Sequence, residues 1–155
     1  MAETADLSPT IIESLYREAL LLADEARAAF HLSGRLDIAG EDEDLARVAL
    51  SCEALRTTTR MMHSIAWLLN QRAYFAGELS EFQLRQHGRL PASQPPSKPE
   101  TLDRLGPDTQ ELIRRTERFH ARIARLDKAW RERFAMHPSA IHRLRERLGR
   151  ELGAV

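Results

Sequence analysis

Glu117 and His120 form a Glu-x-x-His pair, the spacing with which carboxylate-bridged metal bundles set two ligands on one helix face. Such centres also need a second pair of the same kind and two more inward glutamates, and the chain has no second Glu-x-x-His. The pair therefore reads as a surface ion-pairing glutamate beside a partly exposed histidine, and no metal is expected. His31 and His63 have no serine or cysteine arranged near them as a nucleophile, and His63 reads as a hydrogen-bonded histidine at a core edge. Cys52, the single cysteine, falls on an apolar helical stripe where a thiol is packed and inert. With no partner for an internal disulfide, it points to a reducing interior. There is no Gly-rich phosphate loop, no His-Glu-x-x-His and no paired-carboxylate signature. The expectation is a protein that is not an enzyme and carries no cofactor.

Arginine offers a second possible chemistry. Arg143, Arg145, Arg147 and Arg150 near the C-terminus resemble a phosphate-contacting helix, but Glu146 and Glu151 interrupt them and no aromatic platform accompanies them. The chain as a whole is neutral, with 23 basic and 23 acidic residues, so nucleic acid is not an expected partner. The charge is uneven along the sequence. Met1 to Gly106 carries 11 basic and 16 acidic residues, net −5, and Pro107 to Val155 carries 12 and 7, net +5. That split favours attraction between helices of one chain or head-to-tail association of two. No apolar run approaches 18 residues and the acidic start shows no secretory pattern, so a soluble, cytoplasmic protein without membrane contact is expected.

Helices must carry these residues. Ser8 and Pro9 open the first, whose apolar positions Ile12, Leu15, Ala19, Leu22, Ala26 and Ala29 recur in three- and four-residue steps, with Leu20, Leu21 and Phe30 widening the face; it ends near Ser33 and Gly34. The second runs from Glu43 to Ala76, roughly 50 Å at about 1.5 Å per residue. Its seam of Leu45, Val48, Cys52, Leu55, Thr59, Met62, Ala66, Leu69, Ala73 and Ala76 is coiled-coil-like and is read as its packing face. Gly77 is a C-cap, and Ser80 with Glu81 starts a short helix to about His87. Residues 88–106 form a Pro-rich loop with prolines at 91, 95, 96 and 99, either a plain crossover or a partner-binding segment. Pro107 opens the third long helix, with Leu112, Thr116, Phe119, Ile123, Leu126 and Trp130 in register and an arginine-dense outer face, ending near Ala135. Ser139 to Leu152 reads as a shorter amphipathic helix carrying Ile141, Leu144, Leu148 and Leu152. With no strand pattern, the expected fold is all-α: one domain, residues 1–155, built as an antiparallel up-down-up bundle of three long helices with a short C-terminal amphipathic helix.

The second half of the long helix carries more than its seam. Met61, Ile65, Leu68, Arg72 and Phe75 make a second stripe, belonging either to the centre of the core or to a helix shared with a second subunit. Arg72 inside that stripe requires a carboxylate from another helix. Arg60, Trp67, Gln71 and Tyr74 line a third face, which either packs beneath loops or binds a partner, since arginine and aromatic residues are enriched in interface hot spots.

These residues also carry a family resemblance. Thr58-Thr59-Arg60-Met61-Met62, Ala66-Trp67-Leu68-Leu69, Gln71-Arg72-Ala73 and Gly77-Glu78-Leu79 resemble the signature helix of the RcdA family, the alphaproteobacterial regulators of CtrA degradation. Leu112-Ile113, Glu117-Arg118 and Arg125-Leu126-Asp127 match in the third long helix. The resemblance implies a dimeric three-helix bundle acting as a non-enzymatic adaptor in regulated proteolysis. Its partners would be the ClpXP protease, the response-regulator adaptor CpdR and cell-cycle substrates, held together at raised effective concentration. The amphipathic Ser139–Leu152 segment departs from the family's flexible tail. The competing expectation is a helical dimer, structural or regulatory, with no role in proteolysis.

Overall fold

The structure, a computed structural model, describes residues 7–33, 43–136, 144 and 147–150. Helix α1 spans Pro9–Ser33, α2 Glu43–Phe75, α3 Glu81–His87, α4 Pro99–Leu102 and α5 Pro107–Met136, and no strand occurs among the described residues. The protein is all-α. Local chemistry sets the helix ends. The Ser8 hydroxyl accepts from the Ile11 amide at 3.3 Å, and Pro9 follows at the position where a missing N–H costs nothing. Gly77, at φ 78°, closes α2: the Glu78 amide donates to the Ala73 carbonyl at 2.9 Å and the Gly77 amide to that of Tyr74 at 3.0 Å, a Schellman arrangement that only glycine adopts without strain. Ser80 and Gln83 then form a capping box that starts α3. The terminal helix expected over Ser139–Leu152 lies mostly outside the described residues; Leu144 and residues 147–150 are helical and exposed.

The direction of α5 corrects the up-down-up expectation. Arg60 of α2 meets Thr116 of α5 and Trp67 meets Asp127, so the two helices run parallel. On the other side Glu25 pairs with Arg115 and Glu18 with Arg122, so α5 runs antiparallel to α1. Those ion pairs are where the acidic first half and the basic second half of the sequence meet. The order is up-down-down, and the Pro-rich segment makes it possible. Returning from Phe75 to the level of Glu53 requires about 33 Å at 1.5 Å per helical residue. Residues 88–98, in neither helix nor strand, can span about 36 Å when extended. They run back along α2 as a strap: Arg56 Nη2 donates to the Pro95 carbonyl, and the Ser97 hydroxyl donates to Glu53 Oε2 at 2.7 Å. Leu90 is its buried apolar anchor, and Leu84 of α3 is buried just before it. Of the two sequence readings, the strap is at least a crossover.

The main core joins Ile12, Leu15, Ala19 and Leu22 of α1 to Met61, Trp67 and Leu68 of α2 and Leu112, Phe119 and Ile123 of α5. A smaller cluster of Ala49, Leu105 and Ile113 closes the other end. Leu20 and Leu21, read as part of the α1 packing face, are instead exposed. Arg72 finds the carboxylate it required: Glu13 of α1 lies at 3.0 Å, and its guanidinium stacks 4.2 Å over the Tyr16 ring. Both partners of that ion pair are about 39% exposed, so it contributes on the order of 1 kcal/mol or less, not the several expected of a buried pair.

Candidate functional site

Helix α2 is inverted relative to its sequence pattern. Its inward face carries Ala46, Ala49, Glu53, Thr57, Arg60, Met61, Ser64, Trp67, Leu68 and Gln71, all buried. The coiled-coil seam faces out: Leu45, Val48, Cys52, Leu55, Met62, Ala66, Leu69 and Ala76 are exposed, Leu55 at 70% and Met62 at 64%. The expectation that the seam is the packing face of the bundle, with Cys52 buried on it, is therefore corrected; Cys52 is an exposed free thiol. The physical reason is size and polarity. Ala46, Ala49 and Ser64 let a neighbour approach closely, while Arg60 and Trp67 bond Thr116 and Asp127 of α5 and Glu53 accepts from Ser97 of the strap, polar contacts that the aliphatic seam does not offer.

The third face, read as either packing beneath loops or binding a partner, lies largely inside the fold. Arg60 is 7% exposed, Trp67 2% and Gln71 0%, and Tyr74 is half-buried against Phe75, with ring centroids 5.3 Å apart. Trp67 Nε1 donates to Asp127 Oδ1 at 3.0 Å, and Arg131 holds the other carboxylate oxygen at 2.8 Å. Of the second stripe, Met61, Ile65 and Leu68 belong to the core, Arg72 pairs with Glu13, and Phe75 is exposed at its edge. Three of its five residues thus pack in the core.

Glu117 and His120 both stand near Arg60 of α2. Arg60 Nη1 donates to Thr116 Oγ1 at 2.9 Å, and Nη2 lies 3.5 Å from Glu117. Burial pushes the Arg60 guanidinium below its ordinary value, opposed by Glu117. His120 is buried, and its pKa is pushed below the usual histidine value by that burial and then by Arg60 and His63. No group of three His, Cys, Asp or Glu side chains that would hold a metal gathers among the described residues. The buried partners Glu53, Thr116 and Asp127 were missed by the sequence reading; the signal available was a polar residue interrupting an apolar stripe at helical spacing, as Thr116 does between Leu112 and Phe119.

His120 gives the protein an acid-sensitive site. The unfolded chain takes up the proton near pH 6.5 and the folded one only at lower pH, so between the two the unfolded state binds more protons. Its stabilising contribution is complete above pH 6.5 and is lost as pH falls toward the depressed folded value. Thermal melts between pH 7.5 and 5 are expected to show a smaller loss of Tm for His120→Gln than for the parent. Equal slopes would mean that His120 is free to protonate in the fold.

The exposed seam sets large aliphatic side chains in one register over the length of α2. No described helix is long and apolar enough to cross a membrane. A family model described as a protein of unknown function, DUF1465, matches residues 3–152. The chain belongs to the DUF1465 family. Neither the curated proteins nor the solved structures contain a match to it.

Proposed function

We propose that this protein is a non-enzymatic adaptor that pairs with a second copy through the outward seam of α2 and uses its remaining surface to hold protein partners together. The observation that carries the proposal is the seam itself. A stripe about 50 Å long and one helix diameter, about 10 Å, wide amounts to roughly 500 Å² per copy. Monomers rarely expose more than a few hundred Å² of contiguous apolar surface, and a standard interface takes about 800 Å² from each partner. A second copy supplies the same three-four repeat and meets it in a self-complementary, two-fold contact.

The resemblance of α2 and α5 to the RcdA family supplies the identity of the partners: ClpXP, the CpdR response regulator and cell-cycle substrates, in the cytoplasm. The reading that the chain is a structural or regulatory helical dimer with no part in proteolysis rests on the same seam, and one experiment separates the two. Adding the purified protein to ClpXP, CpdR and candidate substrates is expected to accelerate degradation of at least one cell-cycle client. Unchanged rates for every client would leave the structural dimer as the surviving reading.

A further inference from the structure

The backbone of the strap is set by its prolines. Pro91, Pro95, Pro96 and Pro99 each hold φ at about −65°, and the residue before each is steered to an extended ψ, so Leu90, Gln94, Pro95 and Lys98 are restricted as well. Both restrictions select the polyproline II conformation, a left-handed helix of about three residues per turn with no internal hydrogen bonds. Lys98, at φ −69° and ψ 136°, lies in that region. Burial follows the same period of three. Gln94 and Ser97 are half-buried, and the Ser97 hydroxyl donates to Glu53 of α2. The other two edges of such a three-sided helix are Ala92, Pro95 and Lys98 on one and Ser93, Pro96 and Pro99 on the other, and all six residues are exposed. Two proline-ending dipeptides, Pro95-Pro96 and Lys98-Pro99, thus stand outward one turn apart, with Ser97 as the spacer between them. The bundle grips the strap by its spacer edge and displays the proline edges.

We propose that the strap is the docking edge for a protein partner whose groove is lined with aromatic side chains and rimmed with carboxylates. Prolines of a preformed polyproline II segment lie between flat aromatic faces in such a groove, and the spacer points away from it. The Lys98 ammonium meets the acidic rim. Arg56 on the Pro95 carbonyl, Glu53 on Ser97 and the buried Leu90 hold the segment extended before a partner arrives, so docking orders little additional backbone. This surface goes beyond the adaptor reading, since it needs neither a second copy nor a protease.

The test titrates the full chain into a 15N-labelled SH3 domain, the probe that supplies an aromatic groove with an acidic rim. Saturable shifts of the groove's tryptophan indole N–H are expected, with a Kd of about 100 μM. Pro96→Ala and Pro99→Ala should each weaken binding about tenfold with Tm unchanged, since both prolines are exposed. Lys98→Glu should weaken it and remove its salt dependence, whereas Ser97→Ala should leave it within about threefold. A synthetic peptide of residues 90–100 should bind no more tightly than the full chain. Silence of the groove at about 1 mM full chain overturns the docking edge, and a peptide that binds where the full chain does not overturns its display on the bundle. Shifts that survive the Pro96→Ala, Pro99→Ala double change belong to another surface and overturn it too, and an equal loss with Ser97→Ala overturns the assignment of the edges. Each of these outcomes leaves the seam to be judged separately, by sedimentation.

Discussion

Replacing Leu55 and Met62 together by glutamate is expected to convert the protein to a monomer without unfolding it. Both side chains are more than three-fifths exposed in the subunit, so the fold loses little by their removal. Their loss falls on the proposed contact between copies. Fully burying an aliphatic side chain of this size contributes about 1.5–3 kcal/mol, and a side chain already partly buried contributes roughly half of that. Five large aliphatics from each copy, Leu45, Val48, Leu55, Met62 and Leu69, then supply on the order of 10 kcal/mol. That is the same size as the entropic cost of association, about 4–15 kcal/mol, so the dimer survives only with the seam intact. Four buried glutamates facing one another across the two-fold remove that margin several times over. Sedimentation velocity at micromolar concentration should give the dimer mass for the parent and the monomer mass for the double variant, with matching helical circular dichroism and Tm. A parent that sediments as a monomer up to about 100 μM, a concentration reaching weak but specific contacts, would remove the seam as a self-association face.

Asp127→Ala is expected to be the most damaging single change to the fold itself, at about 2–4 kcal/mol. The Asp127 carboxylate is 2% exposed and serves two donors at once, the buried Trp67 indole and the Arg131 guanidinium. Removing it leaves the indole N–H in the core without an acceptor and leaves a cavity beside Trp67. Arg131 is more than a third exposed, so its share of the loss is discounted to below about 1 kcal/mol. Against a total stability of about 5–15 kcal/mol the change is severe. Urea unfolding followed by tryptophan fluorescence measures it, and Arg131→Gln serves as the control that should cost little. If the two variants are equally mild, the Trp67 hydrogen bond is made as well by water and the α2–α5 contact is not closed there.

Much of the helical layout is written in local chemistry. Ser8 with Pro9, Gly77, Ser80 with Gln83, and Pro107 each stop or start a helix for reasons that need no tertiary context, and the corresponding ends fall within a residue or two of the pattern. The direction of α5 is not local. It depends on whether eleven residues between Gly88 and Lys98 turn at one end of the bundle or travel its length, and a proline-rich composition permits either. Which stripe of α2 faces inward is also not written in its period. A helix with aliphatics on one side and Thr57, Arg60, Ser64, Trp67 and Gln71 on the other satisfies the three-four repeat whichever side is buried. The choice is made by Thr116, Asp127 and Ser97, more than 30 residues away in the chain, which accept or donate the bonds that α2 offers. The same distance hid the surroundings of His120: it read as partly exposed beside a surface glutamate because Arg60 sits 57 and 60 positions before Glu117 and His120.

The parallel run of α2 and α5 gives the molecule a lasting electrical direction. The peptide dipoles of α1 cancel those of one partner, and the other is left uncompensated, equivalent to roughly half a positive charge at the end where α2 and α5 begin and half a negative charge where they finish. Side chains answer this field at both ends: Asp44 and Asp108 stand at the positive end, and Arg72 and Arg133 lie in the last turns at the negative one. Two copies laid side by side in the same sense would stack these fields, whereas a two-fold axis across α2 sets them head to tail and extinguishes them. In the proposed pair, the strap that turned one helix around would thus also favour the two-fold sense.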